Sequence, residues 1–202
     1  MTITLEPTAA LDERSADIIF REARTAYSFT AEPVSDGQLV EIYELMKWAP
    51  TAVNSQPLRI VYVRSDEAKA KLLPHLAEGN RRKSASAPVV AILAADTDFH
   101  KHLPRVMPQA PGMKASFEDD DRREQAARFN ATLQAGYFIV AARAVGLDAG
   151  PMGGFDAAGL DRDLLGGGSL TSLLVVNLGH AAVDGTFPRN PRLEAAEVVS
   201  TL

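Results

Sequence analysis

Gly146-Leu147-Asp148-Ala149-Gly150-Pro151-Met152-Gly153-Gly154-Phe155 is the stretch that decides how the chain reads. A long helical pattern stops at Gly146, the residue type that closes a helix most easily. Gly153 and Gly154 then leave backbone that no side chain guards. Such a run serves either a helix stop and sharp turn, or a flat ligand that lies against main-chain N–H groups. The neighbouring segments decide between the two uses.

Upstream, Arg122 to Val145 reads as the longest helix, with Phe129, Leu133, Tyr137, Val140, Ala141 and Ala144 on its apolar face. Roughly 24 residues at ~1.5 Å each span about 36 Å, long enough for the axis of a fold or of a dimer. Glu118 to Asp121 suits a helix entrance, where acids oppose the positive end of the dipole. Residues 96–121 carry Pro104, Pro108, Pro111 and Gly112, and so long a connection reads as a lid over a site. His100 and His102 lack a third ligand at useful spacing, so no metal site is assigned.

Downstream, Asp156 caps a short helix to Leu165. Gly166-Gly167-Gly168-Ser169 lacks the Gly-Lys-Ser/Thr ending of a Walker loop. No Gly-x-Gly-x-x-Gly follows a strand pattern, so a Rossmann site is unsupported. Leu170 to Leu178 reads as a central strand, and Gly179-His180 turns the chain. Pro188-Arg189-Asn190-Pro191-Arg192-Leu193 sets two arginines three apart on a proline-stiffened segment, either an exposed basic tail or a phosphate clamp.

At the front, residues 1–14 read as a loose arm, with a single domain over 15–202. Ser15 to Arg24 reads as a helix. Arg24-Thr25 at its end is either a cation matched to a helix C-terminus or an anion grip. Ser35 and Gln38 form a capping box, followed by Leu39, Ile42, Tyr43 and Met46 at helical spacing. Thr51, Ala52, Asn54 and Gln56 sit between Pro50 and Pro57, in a polar loop whose amides suit the edge of a heteroaromatic ring. Leu58 to Val63 reads as a strand. Ser65 caps a helix to about Leu76, distorted by Pro74. Asn80 and Lys83 share a helical face, either solvated or meeting a polar ligand. Val89 to Ala95 reads as a buried strand.

The chain has 202 residues, 46% hydrophobic and 23% charged, which suits one sizeable α/β domain or one subunit of an intertwined oligomer. A net charge of −5 argues against a nucleic-acid surface. The absence of cysteine excludes disulfides, thiolate zinc sites, cysteine-ligated iron–sulfur clusters and a cysteine nucleophile. No apolar run reaches the roughly 20 residues of a membrane span. The N-terminal segment lacks the pattern of a signal peptide, so a cytoplasmic protein is the expectation.

Taken in order, Arg24-Thr25, the polar loop, Asn80-x-x-Lys83, the Gly-Pro-Met-Gly-Gly-Phe stretch and the Arg189/Arg192 pair resemble the FMN-dependent nitroreductase family over about residues 15–195. Glu32 to Asp36, Leu45 to Trp48, Gly79-Asn80 and Gly146 to Met152 look most like the branch that contains malonic semialdehyde reductase. The resemblance implies an α+β fold with a central mixed sheet flanked by helices. It also implies an intertwined homodimer with FMN at the interface. Arg24, Thr25, Arg189 and Arg192 would then hold the phosphate and ribityl end, with Ala26 offering its backbone N–H. Asn80 and Lys83 would reach the ribityl chain and pyrimidine edge. Thr51, Ala52 and Asn54 would come from the partner subunit, with Gln56 in the same loop. Gly153 N–H would face flavin N5, between Met152 and Gly154. The implied activity is ping-pong hydride transfer from NAD(P)H to a small acceptor, such as malonic semialdehyde going to 3-hydroxypropionate, a nitroaromatic or a quinone. No catalytic side chain is implied, since the cofactor carries the redox chemistry. Three residues depart from the family: Ala26 where a polar side chain is frequent, Leu58 where many members have an aromatic, and Gly153 where other branches carry glutamate. A flavin-binding protein without turnover, and a plain interaction module with no flavin, are the rival classes.

Overall fold

The structure, a computed structural model, describes residues 10–202. Most of the expected N-terminal arm, residues 1–9, lies outside the described residues. Four strands form one sheet in the order β1-β2-β4-β3. They are β1 (Leu58–Val63), β2 (Val89–Asp96), β3 (Asp148–Met152) and β4 (Leu170–Gly179). Every ladder is antiparallel. The parallel component of the expected mixed sheet is the single bridge between Thr25 and Ala149.

β2 is buried along its whole length because both faces of the sheet are covered. Its side chains alternate, as the two-residue period of a strand requires. Val89, Ala91, Leu93 and Ala95 enter one core cluster, which contains α2 (Asp36–Met46) and α6 (Asp120–Ala144). Val90 and Ile92 enter the other, with residues from α3 (Asp66–Leu72) and α7 (Ala157–Leu164). Opposite the step from Leu93 to Ala94 the register of β4 slips by one residue, a bulge.

The capping box at the start of α2 forms as expected. Gln38 N–H donates to Ser35 Oγ at 3.1 Å, and Ser35 N–H to Gln38 Oε1 at 3.0 Å. The first helix differs from expectation. Asp12 caps α1 (Glu13–Ala16), and a π-helical turn, Asp17–Arg21, continues it. α3 stops at Leu72 and passes into a 3-10 turn over Leu73–His75, where Pro74 removes a donor. α4 spans Glu78–Ser86. α5 (Leu103–Val106) and two 3-10 segments occupy the expected lid, which Phe99, Leu103 and Phe117 pin to the core. A short α8 (Ala195–Val198) completes the helices.

Two expectations around the opening stretch need correction. The first concerns its shape: Gly146 turns, Asp148 to Met152 is strand β3, and the chain turns again only at Gly154, where Phe155 N–H donates to Gly153 O at 3.2 Å. Gly146 has φ +81°, with its N–H on Arg143 O and the next N–H, from buried Leu147, on Ala142 O. That pair of bonds is a Schellman cap. The second concerns the long helix. Its buried face carries Ala127, Ala131, Gln134, Ala135, Phe138, Ala142 and, as expected, Ala141, while Phe129, Leu133 and Tyr137 are exposed. Alanines let the helix sit close on the sheet, and of its large side chains Phe138 enters the core while Phe129, Leu133 and Tyr137 point away. Among the described residues no helix is long and apolar enough to cross a membrane.

Candidate functional site

Four arginines converge on one cavity of about 350 Å³, lined by Arg24, Arg143, Arg189 and Arg192 with Thr25 and Asn190 among their neighbours. The backbone that ends the first helix gathers three of them, while Arg192 is held by its own loop through the Asn190 and Pro191 carbonyls. The last carbonyls of a helix lack partners within it and carry the negative end of its dipole. Arg24 Nη1 donates to the carbonyls of Arg21, Glu22 and Ala23, at 3.2, 2.8 and 3.1 Å. Arg189 Nη2 donates to those of Phe20, Arg21 and Ala23. Arg143 Nη1 donates to Ile19 O at 3.1 Å. No carboxylate lines the cavity, and none of the four arginines has a carboxylate partner within 4 Å among the described residues. Desolvation, then the Arg24 and Arg192 charges, push Arg189 below its ordinary value. Desolvation first, and then Arg189, do the same to Arg143. An uncompensated cluster of forked donors is a site for an anion with several oxygens.

A strip of side chains leads away from this cavity. Tyr27 lines it and stacks edge-on against Phe187, with ring centroids 4.7 Å apart. Lys83 Nζ sits 5.1 Å from the centre of the Tyr27 ring, and burial lowers its pKa. One turn back on α4, Asn80 Nδ2 donates to Gly154 O at 2.8 Å, and Ala77 N–H reaches the same carbonyl. The arginines and the glycine pair therefore flank β3, whose five residues span roughly 16 Å at ~3.3 Å each. Gly153 is exposed, and a Cβ built there meets nothing within 4 Å. Gly154 is different: a Cβ there would come within 2.9 Å of Asn80 Nδ2. Met152 is buried beside Ser84 Oγ, at 3.7 Å.

Ala26 does not offer its N–H outward as expected. That N–H donates to Ala149 O at 3.2 Å, and the residue is fully buried. Thr51, Ala52, Asn54 and Gln56 do not line the arginine cavity within one chain. Ala52 N–H donates to Asn130 Oδ1 at 2.7 Å, and Arg143 lies 13 residues further along the same helix. At ~1.5 Å per residue the loop is roughly 20 Å from the arginines. The Asn54 amide is also engaged inside the chain, its Nδ2 on Val106 O at 2.7 Å and its Oδ1 on Gln56 Nε2 at 2.9 Å. Asn54 and Gln56 both have positive φ, 52° and 43°, so the loop is held in an unusual shape.

Arg143, Tyr27 and Phe187 belong to the strip and were not legible in the sequence. Tyr27 follows Thr25 by two residues, a faint signal. Arg143 in the last turn before Gly146 reads only as a cation placed at a helix end.

The nitroreductase family model matches residues 20–180. A Streptomyces coelicolor protein, provisionally named an NADH dehydrogenase/NAD(P)H nitroreductase, is 54% identical over 188 residues, 93% of each chain. A Leptothrix cholodnii protein with the same provisional name is 48% identical over 188 residues, 93% of this chain and 95% of its own. Among solved structures, a provisionally named nitroreductase of Exiguobacterium sibiricum in complex with FMN superposes with a TM-score of 0.83 at 20% identity, over 96% of this chain and 99% of that one. A Bacillus subtilis protein of the same kind gives 0.79 at 24% identity, over 91% and 97%. At these identities the likeness is one of fold.

Proposed function

This chain belongs to the nitroreductase family, and from that premise we propose that it is an FMN-dependent NAD(P)H oxidoreductase that works as a homodimer. One observation carries the reading: a cavity of arginines without an acid joined by a strip of side chains to a glycine pair of which Gly153 is uncrowded. That shape and charge fit a ligand with a phosphate at one end and a flat heteroaromatic ring at the other. The chemistry the cofactor supplies when bound is two-electron transfer, from NAD(P)H in one half-reaction and to an acceptor in the next.

The chain's own residues bind and orient. Arg24, Thr25, Arg189 and Arg192 hold the phosphate end. Lys83 offers a cation toward the pyrimidine side, where reduction places negative charge. Asn80 fixes the Gly154 carbonyl, and so the Gly153-Gly154 backbone, in the orientation that keeps the ring face open. Thr51, Ala52 and Asn54 of a second copy, with Gln56 in the same loop, complete the site. The roughly 20 Å gap within one chain supports that source. The exposed stripe of Phe129, Leu133 and Tyr137 gives the two copies a surface to share. Segment 96–121 shapes the acceptor pocket, since Val106 O is held by Asn54 of the site loop.

For the acceptor, sequence stretches resembling the malonic semialdehyde reductase branch support a small aldehyde. The relatives' names support a nitroaromatic, and a quinone belongs with it. Comparing turnover on malonic semialdehyde with turnover on a nitroaromatic separates these. Substituting Arg189 and Arg192 together by Ala tests the phosphate end. FMN retention falls if the assignment is right, and unchanged retention removes it.

A further inference from the structure

Arg143 stands apart from the other three arginines of the cavity. Arg24, Arg189 and Arg192 come from loops or chain ends, where motif reading finds them. Arg143 comes from the last turn of α6, the longest helix of the fold. Its guanidinium is half-buried and lines two cavities, the arginine cavity and a smaller one of about 140 Å³ beside it. Of its nitrogens, only Nη1 has a partner among the described residues, the Ile19 carbonyl. Its Nε is buried with none. A buried donor without a partner is destabilising, so a chain keeps one where a ligand or function repays it. One acid, Asp148, lines the smaller cavity, and its Oδ2 accepts the Ala181 N–H at 2.8 Å.

We infer that Arg143 is a fourth phosphate-binding arginine, which closes the anion site from the sheet side and matches it to a doubly charged terminal phosphate. Arg24, Arg189 and Arg192 each spend one terminal nitrogen on main-chain carbonyls, and two charges on three oxygens accept donors beyond those that remain. Arg143 is held by a rigid helix, and its Nη1 bond to Ile19 O fixes the π-helical turn whose following carbonyls gather Arg24 and Arg189. It therefore both faces the anion and sets the frame that holds Arg24 and Arg189. The inference rests on reading the cavity as the flavin phosphate site.

The test titrates flavin-stripped protein with FMN and with riboflavin, which lacks the phosphate, following flavin fluorescence. Arg143→Gln is the main variant. Thermal unfolding without flavin serves as the fold control. FMN affinity is expected to fall by about tenfold or more, the scale of one charge-assisted hydrogen bond, while riboflavin affinity stays put. Inorganic phosphate, added as a competitor, displaces FMN less effectively from Arg143→Gln than from the unaltered protein. Arg143→Lys keeps the charge and loses the fork, so its loss of FMN affinity is smaller. It also serves where Arg143→Gln fails to fold. Equal weakening of FMN and riboflavin makes the residue purely structural and overturns the inference. So does unchanged FMN affinity with an altered preference between NADPH and NADH. Selective FMN loss in Arg189→Ala/Arg192→Ala, beside a neutral Arg143→Gln, sinks this inference alone. Neutral behaviour of all these variants sinks the phosphate site itself.

Discussion

Gly150→Ala probes the seam that places Arg24 and Thr25 against the sheet. Gly150 lies in the middle of β3, and a Cβ there would sit 2.5 Å from the Ala26 carbonyl oxygen. Real Cβ contacts essentially never fall below 3.0 Å, so the segment around Ala26 must retreat by about half an ångström. That retreat strains the hydrogen bond from Ala26 N–H to Ala149 O, already 3.2 Å long, and the bridge from Thr25 to Ala149. Overpacking of this kind costs ~1–3 kcal/mol. Loss of the hydrogen bond adds ~0.5–1.5 kcal/mol. At ~2–4 °C per kcal/mol for a chain of this size, Tm falls by roughly 3–18 °C. Arg24 is two residues from the strained carbonyl, so FMN affinity falls as well. The assay is thermal unfolding of the flavin-free protein by circular dichroism, with FMN titration at a temperature where the variant is folded. An unchanged Tm refutes the packing argument. A lowered Tm with unchanged FMN affinity refutes the claim that this seam positions the anion site.

Three further outcomes are expected. Gly153→Ala meets no steric barrier and needs no left-handed backbone, so stability stays within ~0.5 kcal/mol. NAD(P)H-driven turnover nonetheless falls by about tenfold or more as the ring is pushed off its backbone contact; normal turnover would remove Gly153 from the site. Leu133→Glu puts a charge in the exposed stripe of α6 and should yield a monomer by light scattering that retains little FMN, whereas an intact dimer contradicts the proposed interface. Burial pushes the Tyr62 phenol up from 10.0 to about 12, which favours the neutral form in the folded chain. Its contribution to stability is whole below pH 10 and lost as pH rises toward 12, so Tyr62→Phe should flatten the fall of Tm across that window. An equally steep fall in the variant contradicts this.

Much of the framework was legible because its signals are local. Ser35 and Gln38 sit three apart and cap each other, and the runs at 58–63 and 89–95 have the β-branched, apolar character of buried strands. β3 was not legible, because Gly150 and Pro151 both argue against a strand. The proline is tolerated because β3 is an edge, where a missing donor breaks no central ladder. The buried face of α6 was misread for a related reason. Size favours Phe129, Leu133 and Tyr137 as core, yet the close approach of helix to sheet selects the alanines. The glycine pair and the arginines at 24, 189 and 192 carried residue-type signals that spacing preserves. Arg143 and the inward bond of Ala26 depend on which backbone lies alongside, which only the folded chain determines.

The central claim is that the strip from the arginine cavity to Gly153-Gly154 holds a redox-active flavin. The visible absorption spectrum of the purified protein, read before and after anaerobic addition of NADPH and then NADH, tests it most directly. The account predicts a flavin spectrum that bleaches with one of the two and returns when an acceptor is added. A flavin that persists through both marks a carrier or sensor without turnover. Protein that holds no flavin and takes up none when FMN is supplied contradicts the account.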